Sequence, residues 1–435
     1  MPASCPSVAV VAQGAIVGYS RPLECAVRRV IVCEGGKRRA GNALTGLVMA
    51  ALMLWPALAA AQDTRVGEVT QKQEEKAAAS HPYKPSAFER VMTDLENSFV
   101  SPPSGIFPYF GSVYPGGGFT LGAGYRQFYA REAVWELKGL YSIKNYKLIE
   151  FGTRTPWNYA GRWVTGIRGG WRDAPQVGYY GLGQDTTSDD RANAQITQAY
   201  LVGELGFRPS SWTRLEAEVA YDDFKNEDGS GRAPPIGTVY DATTAPGLFQ
   251  PLTYIRSQAT AAIDWRVSPG YTRTGGFYGV TFTDFSDTDD TYSFQVATGE
   301  LIQPLPILRE TWVLSFRGRV QSVLDDDDNV PYYLMPYLGS GSTLRGYATA
   351  RFRDRNALLT TAEFRWVPSR LAMDMAIFYD AGKVASRFKD LDFNDMKSNW
   401  GVGVRFHGPT ATPIRLEVAK GSDGWHLVIS SNAAF

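Results

Sequence analysis

From about Gly105 onward, apolar and polar residues alternate in segments of ten residues or more. In "TWVLSFRGRVQ", Trp312, Leu314, Phe316 and Val320 fall on one face, and Thr311, Ser315, Arg317, Arg319 and Gln321 on the other. "IRSQATAAIDWRV" sets Ile255, Ala259, Ile263, Trp265 and Val267 against Arg256, Gln258, Thr260, Asp264 and Arg266. "RLEAEVAYD" does the same with Leu215, Ala217, Val219 and Tyr221 against Arg214, Glu216, Glu218 and Asp222. A period of two is the signature of β-strands with one apolar face.

A soluble sandwich alternates too, with its apolar faces packed on each other. Three features favour a closed barrel in a membrane. The segments are long enough to cross a bilayer at a tilt, whereas ordinary strands average about five or six residues. Their apolar faces often end in Trp or Tyr, as the aromatic girdles of such barrels do. Sixteen segments can be placed, and the long connections (172–192, 227–251, 323–355 and 384–397) all follow odd-numbered ones, while connections after even strands are short. Lipid admits only helices or closed barrels. The expected fold is all-β: a transmembrane antiparallel β-barrel of 16 strands over 105–435, with an infolded loop on the long-loop side.

The N-terminal region reads differently. Lys37-Arg38-Arg39, the apolar run Leu44 to Leu54 and the small-residue stretch "WPALAAAQ" follow the three-part plan of a secretory signal, so residues 1–61 are expected to be a signal peptide with an over-long start. Cleavage there removes Cys5, Cys25 and Cys33, and with them any disulfide framework or thiolate metal site. It also takes six of 44 Lys/Arg and two of 44 Asp/Glu, leaving 38 against 42, a mildly acidic chain. Residues 62–104 are expected to form a flexible periplasmic leader, too polar to bury a core. One short amphipathic helix begins there at Ser86, capped through Glu89, with Phe88, Val91, Met92 and Leu95 on one face.

The most specific cluster lies in a long connection: "GSGSTLRGY", Gly339 to Tyr347. Two later strands supply partners by phase alone. In "LLTTAEFRW", Leu358, Ala362, Phe364 and Trp366 point outward and turn Glu363 inward; in "MDMAIFYDAG", Met373, Met375, Ile377 and Tyr379 do the same for Asp380. An arginine on an infolded loop suits such carboxylates, because its planar fork stays charged and binds them with fixed geometry.

Leu344, Arg345, Gly346 and Tyr347, followed by Phe378, Asp380 and Gly382 in a Phe-x-Asp-x-Gly pattern, resemble the two hallmarks of the bacterial surface antigen superfamily of outer-membrane barrels. These are the BamA/TamA-like proteins, to which the two-partner secretion transporters are related. "YYGLGQDT" (Tyr179 to Thr186) is similar to a less specific element of the same barrels, and the terminal Phe435, in phase with Trp425, Leu427 and Ile429, resembles their C-terminal assembly signal. The resemblance implies that Leu344, Arg345, Gly346 and Tyr347 latch the loop inside the barrel, with Arg345 on Asp380 and Glu363 nearby. In a hydrated lumen, loss of Arg345 would then cost about 1 to 3 kcal/mol.

The resemblance also implies a non-enzymatic barrel of the bacterial outer membrane that assists insertion or translocation of protein or lipid. Its seam would join an early strand, here the glycine-rich Gly117 to Tyr125, to Trp425 to Ile429 at the C-terminus. Members of the superfamily carry periplasmic polypeptide-transport-associated domains. The segment from Gln62 to the barrel, about forty residues, falls short of the roughly 50 of the smallest domains. A barrel-only member is therefore expected, surrounded by outer-membrane lipid and lipopolysaccharide and aided by a periplasmic or membrane protein partner. The alternatives are a passive pore gated by the loop and an outer-membrane hydrolase built on His407 or His426.

No cofactor or metal is expected. Asp325 to Asp328 lack the alternating ligands of a calcium loop, "GGGFTLGAG" lacks a phosphate-binding spacing, and His81, His407 and His426 stand apart in sequence. A net charge of zero carries no nucleic-acid footprint.

Overall fold

The computed structural model describes Arg90 and residues 104–435, apart from 131–132, 156–161, 309, 326–328, 369–371, 409–410 and 431–434. The barrel belongs to the unit Lys84–Phe435. The signal peptide, almost all of the leader with its short helix, His81, and Asp326 to Asp328 lie outside the described residues.

Strands follow one another along the chain: β1 (Gly105–Phe110), β2 (Thr120–Phe128), β3 (Val134–Ser142), β4 (Lys147–Arg154), β5 (Trp163–Tyr179), β6 (Ala192–Phe207), β7 (Thr213–Asp228), β8 (Leu252–Asp264) and β9 (Phe277–Asp287). They continue with β10 (Phe294–Leu308), β11 (Trp312–Val323), β12 (Tyr337–Leu338), β13 (Phe352–Arg353), β14 (Asn356–Trp366), β15 (Met373–Ala385), β16 (Lys397–Phe406), β17 (Ile414–Gly421) and β18 (Gly424–Ser430). All but β12 and β13 form one 16-stranded antiparallel sheet in chain order; β12 and β13 pair only with each other.

The sheet is inside-out relative to a soluble sandwich. On β14, Phe364 and Trp366 are each 37% exposed, whereas Glu363 and Arg365 between and beside them are 1% and 5% exposed. Ile377 and Tyr379 on β15 and Val280 and Phe282 on β9 likewise point out, while Asp380, Arg405 and Glu417 are buried. Apolar side chains outside and charges inside are stable only if the outer solvent is lipid and the charges pair with one another. No helix among the described residues is long and apolar enough to cross a membrane; the crossing elements are strands.

Each of the 16 expected segments overlaps one barrel strand, but four particulars differ. β5, expected to end near residue 171, runs to Tyr179, because a bulge between Ala174 and Val177 absorbs Pro175 and Gln176 and resumes the ladder with β6. The edge of the sheet is β1, so the glycine-rich Gly117 to Tyr125 lies one strand in: β2 is paired with both β1 and β3. The connection after the eighth strand is not a tight turn but the excursion Trp265–Gly276. Finally, the Phe435 ring, expected in the outward row of Trp425, Leu427 and Ile429, lies 5.9 Å from Cζ of the inward-facing Arg317.

At the long-loop end the extended strands and loops bury an aromatic cap. Tyr179, Phe224, Tyr254, Phe294, Tyr332 and Tyr333 pack together with Ile236 and Leu248 from the β7–β8 connection. Asp325, the one described residue of the acidic run, accepts the Gln295 backbone N–H at 2.6 Å.

Candidate functional site

The connection between β11 and β14 folds inward as a hairpin. Tyr337 pairs with Arg353 and Leu338 with Phe352, and the tip begins at Gly339, whose φ of +100° lies in the left-handed region that side chains disfavour. The Ala350 N–H closes the turn on the Gly339 carbonyl at 2.8 Å, and the Gly339 N–H is held by Thr343 Oγ1 at 3.1 Å. These local bonds aim Leu344 to Tyr347 at the barrel wall.

Arg345 is 2% exposed and fully engaged. Its Nε and Nη2 donate to the two oxygens of Asp380 at 2.9 and 2.8 Å, and Nη1 donates to Glu363 Oε2 at 2.9 Å and to Glu417 Oε1 at 3.2 Å. Thr361 Oγ1 and Asn399 Nδ2 donate to Asp380 as well, both at 2.9 Å. The guanidinium lies over Phe378, with Cζ 3.3 Å from the ring centroid.

Alternate positions on one strand therefore give a stacking surface, a fork acceptor and a hollow, since Phe378, Asp380 and Gly382 all point inward from β15. A methyl on Gly382 would meet Leu338 Cδ1 at 2.7 Å and the Leu358 carbonyl at 2.8 Å. Leu338 fills that hollow, with Leu344 Cδ2 3.6 Å from the same point, in a buried cluster that also contains Tyr347, Phe352, Leu359 and Val384. Gly346 lets the loop backbone touch the far wall, because a Cβ there would lie 2.5 Å from Asn399 Cβ and 2.7 Å from the Gly421 nitrogen. The Tyr347 hydroxyl donates to the Ser398 carbonyl at 3.0 Å and accepts the Ser422 N–H at 3.2 Å.

The structure thus brings Arg345, Glu363, Phe378, Asp380 and Gly382 to one place, with Leu344, Gly346 and Tyr347 packed around it. It also adds residues that the two sequence motifs do not contain. Arg405 donates to both oxygens of Glu363 at 2.7 and 2.5 Å and to Glu417 at 2.9 Å; Arg415 donates to Glu417 at 3.1 Å and to the Gly341 carbonyl at 2.7 Å. Arg365 stands 3.5 Å from Glu363, and the fully buried Asp374 is the cross-strand partner of Arg405. Arg345, Arg405 and Arg415 pair with Glu363, Asp380 and Glu417, which is what makes burying each of these six tolerable, whereas both oxygens of Asp374 are buried with no hydrogen-bond partner. The signal is present in the sequence: in "SNWGVGVRF" and "IRLEVAKG" the outward Trp400, Val402, Leu416 and Val418 put Asn399, Arg405, Arg415 and Glu417 inward.

Around this network the loop is clamped at the long-loop end. Arg351 donates to Asp423 at 2.5 Å and to the Thr186 hydroxyl and carbonyl at 2.8 and 2.7 Å, and Gly183 bridges Arg353, so "YYGLGQDT" docks on the loop. Burial pushes the Asp354 carboxyl above the ordinary carboxylate range, although Oδ1 accepts the Arg355 N–H at 2.8 Å. The histidines lie apart, His407 stacked on Tyr271 with ring centroids 3.9 Å apart, and His426 on β18 opposite Ala419.

Residues 135–425, most of the barrel, match the family model of the Omp85 superfamily domain. The chain belongs to the Omp85 superfamily. Among solved structures it is similar to BamA from Haemophilus ducreyi lacking POTRA domains 1-3, at 13% identity and a TM-score of 0.54 over 75% of this chain and 68% of that one. It is also similar to CdiB from Escherichia coli (12% identity, TM-score 0.48, 72% and 59%) and to CdiB from Acinetobacter baumannii (10% identity, TM-score 0.46, 75% and 56%). No curated protein sequence matches. At this identity the BamA likeness is one of fold, that of a BamA-like barrel. In outer-membrane barrels the long loops lie outside and the short turns on the periplasmic side.

Proposed function

We propose that this Omp85 barrel resides in the bacterial outer membrane and assists insertion or translocation of protein or lipid through a seam between β1 and β18, without enzymatic chemistry. One observation carries the reading. Among the described residues the two terminal strands, of six and seven residues, are the shortest in the barrel sheet, and each is paired on one side only. An unpaired strand edge presents free N–H and C=O groups and templates an incoming strand. The buried Arg345 network and the aromatic cap at the long-loop end stand in the way of a route down the axis, which favours one through the wall. Outer-membrane lipid and lipopolysaccharide surround the barrel in this reading, and a periplasmic or membrane protein partner delivers the client.

The test is a set of cysteine pairs joining Gly105–Phe110 to Trp425–Ile429 in purified chain reconstituted into liposomes. Folding of a small outer-membrane barrel client, read by its heat-modifiable gel mobility, should stop on oxidation and return on reduction. Ion conductance that persists in the locked state, with no client folding in either state, would instead favour the loop-gated pore. Lipid hydrolysis abolished by substituting His407 or His426 would favour a hydrolase.

A further inference from the structure

The excursion between β8 and β9 has a pinned neck and a buried head. The Trp265 N–H donates to the Gly276 carbonyl at 3.0 Å. Beyond that neck, Gly270 forms a parallel bridge with Ala411, and Thr412 Oγ1 donates to the Gly270 carbonyl at 3.1 Å. Tyr271 stacks on His407, the two rings being 14° from parallel. Arg365 Nη2 donates to the Thr272 carbonyl at 2.5 Å. Tyr271 and Thr272 are 4% and 2% exposed. In the sheet, β10, β11, β14 and β15 stand between β8–β9 and β16–β17. A loop rooted on one side and bonded to Ala411 and Thr412 on the other must cross the periplasmic mouth.

We propose that Trp265–Gly276 is a periplasmic strap, a second gate in series with the infolded loop and coupled to it through Arg365. Arg365 reaches three ways: Nη2 holds the strap at Thr272 and also donates to Ser315 Oγ at 3.0 Å, and Nε stands 3.5 Å from Glu363, the carboxylate that also takes Arg345. When the loop withdraws, Glu363 loses one cation and draws Arg365 closer, away from the strap. Opening outside thereby loosens the closure inside, and by linkage a shut strap favours a docked loop. The proposal does not depend on a seam or a client.

The test uses a chain in which Cys5, Cys25 and Cys33 are replaced by serine and Thr272→Cys is labelled by a membrane-impermeant maleimide. Labelling should be slow relative to Val267→Cys, which stands on the same strap and is 79% exposed in the native chain. Arg365→Ala and, separately, Arg345→Ala should each accelerate it about tenfold or more, the factor that a lost charge-assisted hydrogen bond supports. Thr272→Cys reacting as fast as Val267→Cys would overturn the closed strap; acceleration by Arg365→Ala but not by Arg345→Ala would overturn the coupling. A second arm leaves Arg365 in place. With Arg345→Ala and the pair Gly270→Cys and Ala411→Cys, oxidation should suppress ion conductance across a planar bilayer and reduction restore it. Equal conductance in both states would overturn the gate. No arm reads client folding, so failure here leaves the seam reading standing, and the reverse.

Discussion

Arg345 lies flat on Phe378, with Cζ 3.3 Å from the ring centroid, while its fork closes on Asp380 two residues further along the same strand. The ring covers one face of the guanidinium, where water would otherwise sit, and the carboxylates hold its edges. The x positions of Phe-x-Asp-x-Gly belong to the lipid side, so the motif is the inward half of one strand.

Loss of Arg345 should cost more than a hydrated lumen suggests. Arg345, Glu363, Asp380 and Glu417 are each at most 2% exposed, and breaking a buried pair by removing one partner costs about 3 to 5 kcal/mol. Arg345→Ala should release the loop, seen as rapid protease cleavage within 324–355 and a lowered melting temperature. Arg345→Lys should fall between, keeping charge but losing the fork. Unchanged cleavage in Arg345→Ala would rule out the latch.

The stacking contribution can be isolated. Phe378→Leu keeps much of the apolar volume and removes the π face, so loop docking should weaken by about 0.5 to 2 kcal/mol. In a double-mutant cycle with Arg345→Lys the two losses should not add, because the residues share one contact. Additive losses would mean that Phe378 only fills space beside Gly401.

Legibility in the sequence is a matter of period. Alternation alone locates the 16 strands and turns Glu363 and Asp380 inward, and the same rule applied to "IRLEVAKG" reaches Glu417. It fails where the backbone leaves the ladder. The bulge at Pro175 and Gln176 breaks the phase of β5, and no alternation pairs Tyr271 with His407, far along the chain, on which it stacks. Contacts made by loop backbone, such as Thr272 with Arg365, leave no periodic trace.

Two glycines with opposite surroundings separate packing from backbone freedom. Gly346→Ala would drive a methyl into Asn399 and the Gly421 nitrogen, and neither wall can retreat far. It should cost about 1 to 3 kcal/mol of loop docking, as overpacking does. Gly318→Ala on β11 meets nothing within 4 Å and should leave the same protease assay unchanged. Equal behaviour of the two variants would count against close approach as the reason for Gly346.

Asp354 gives a pH signature. Burial raises its folded pKa above the ordinary 3.8, so the folded state holds this proton more tightly than the unfolded one. Its penalty is absent below pH 3.8 and grows as pH rises through the window from 3.8 to the raised value. Asp354→Asn, which keeps an acceptor for the Arg355 N–H, should therefore raise the melting temperature at pH 7 and leave it unchanged at pH 3. A gain of equal size at both would assign the effect to something other than this proton.

Arg351 joins the loop to the hairpin that carries the proposed seam. It is 2% exposed, lies between the Tyr180 and Phe352 rings at 5.1 and 4.7 Å, and bonds Asp423 in the β17–β18 turn together with Thr186. Removing a hydrogen bond to a charged group costs about 1.5 to 3 kcal/mol, and here the strand next to the broken contact is β18, held by a ladder on one side. Arg351→Ala should raise amide hydrogen exchange along Gly424–Ser430 about tenfold or more, the factor set by a loss above about 1.4 kcal/mol. Exchange in β15, deep in the sheet, should not change. If exchange rose only within the loop and β18 stayed protected, Arg351 would be fastening the loop to the wall without holding the last strand, and loop withdrawal would have no path to the seam.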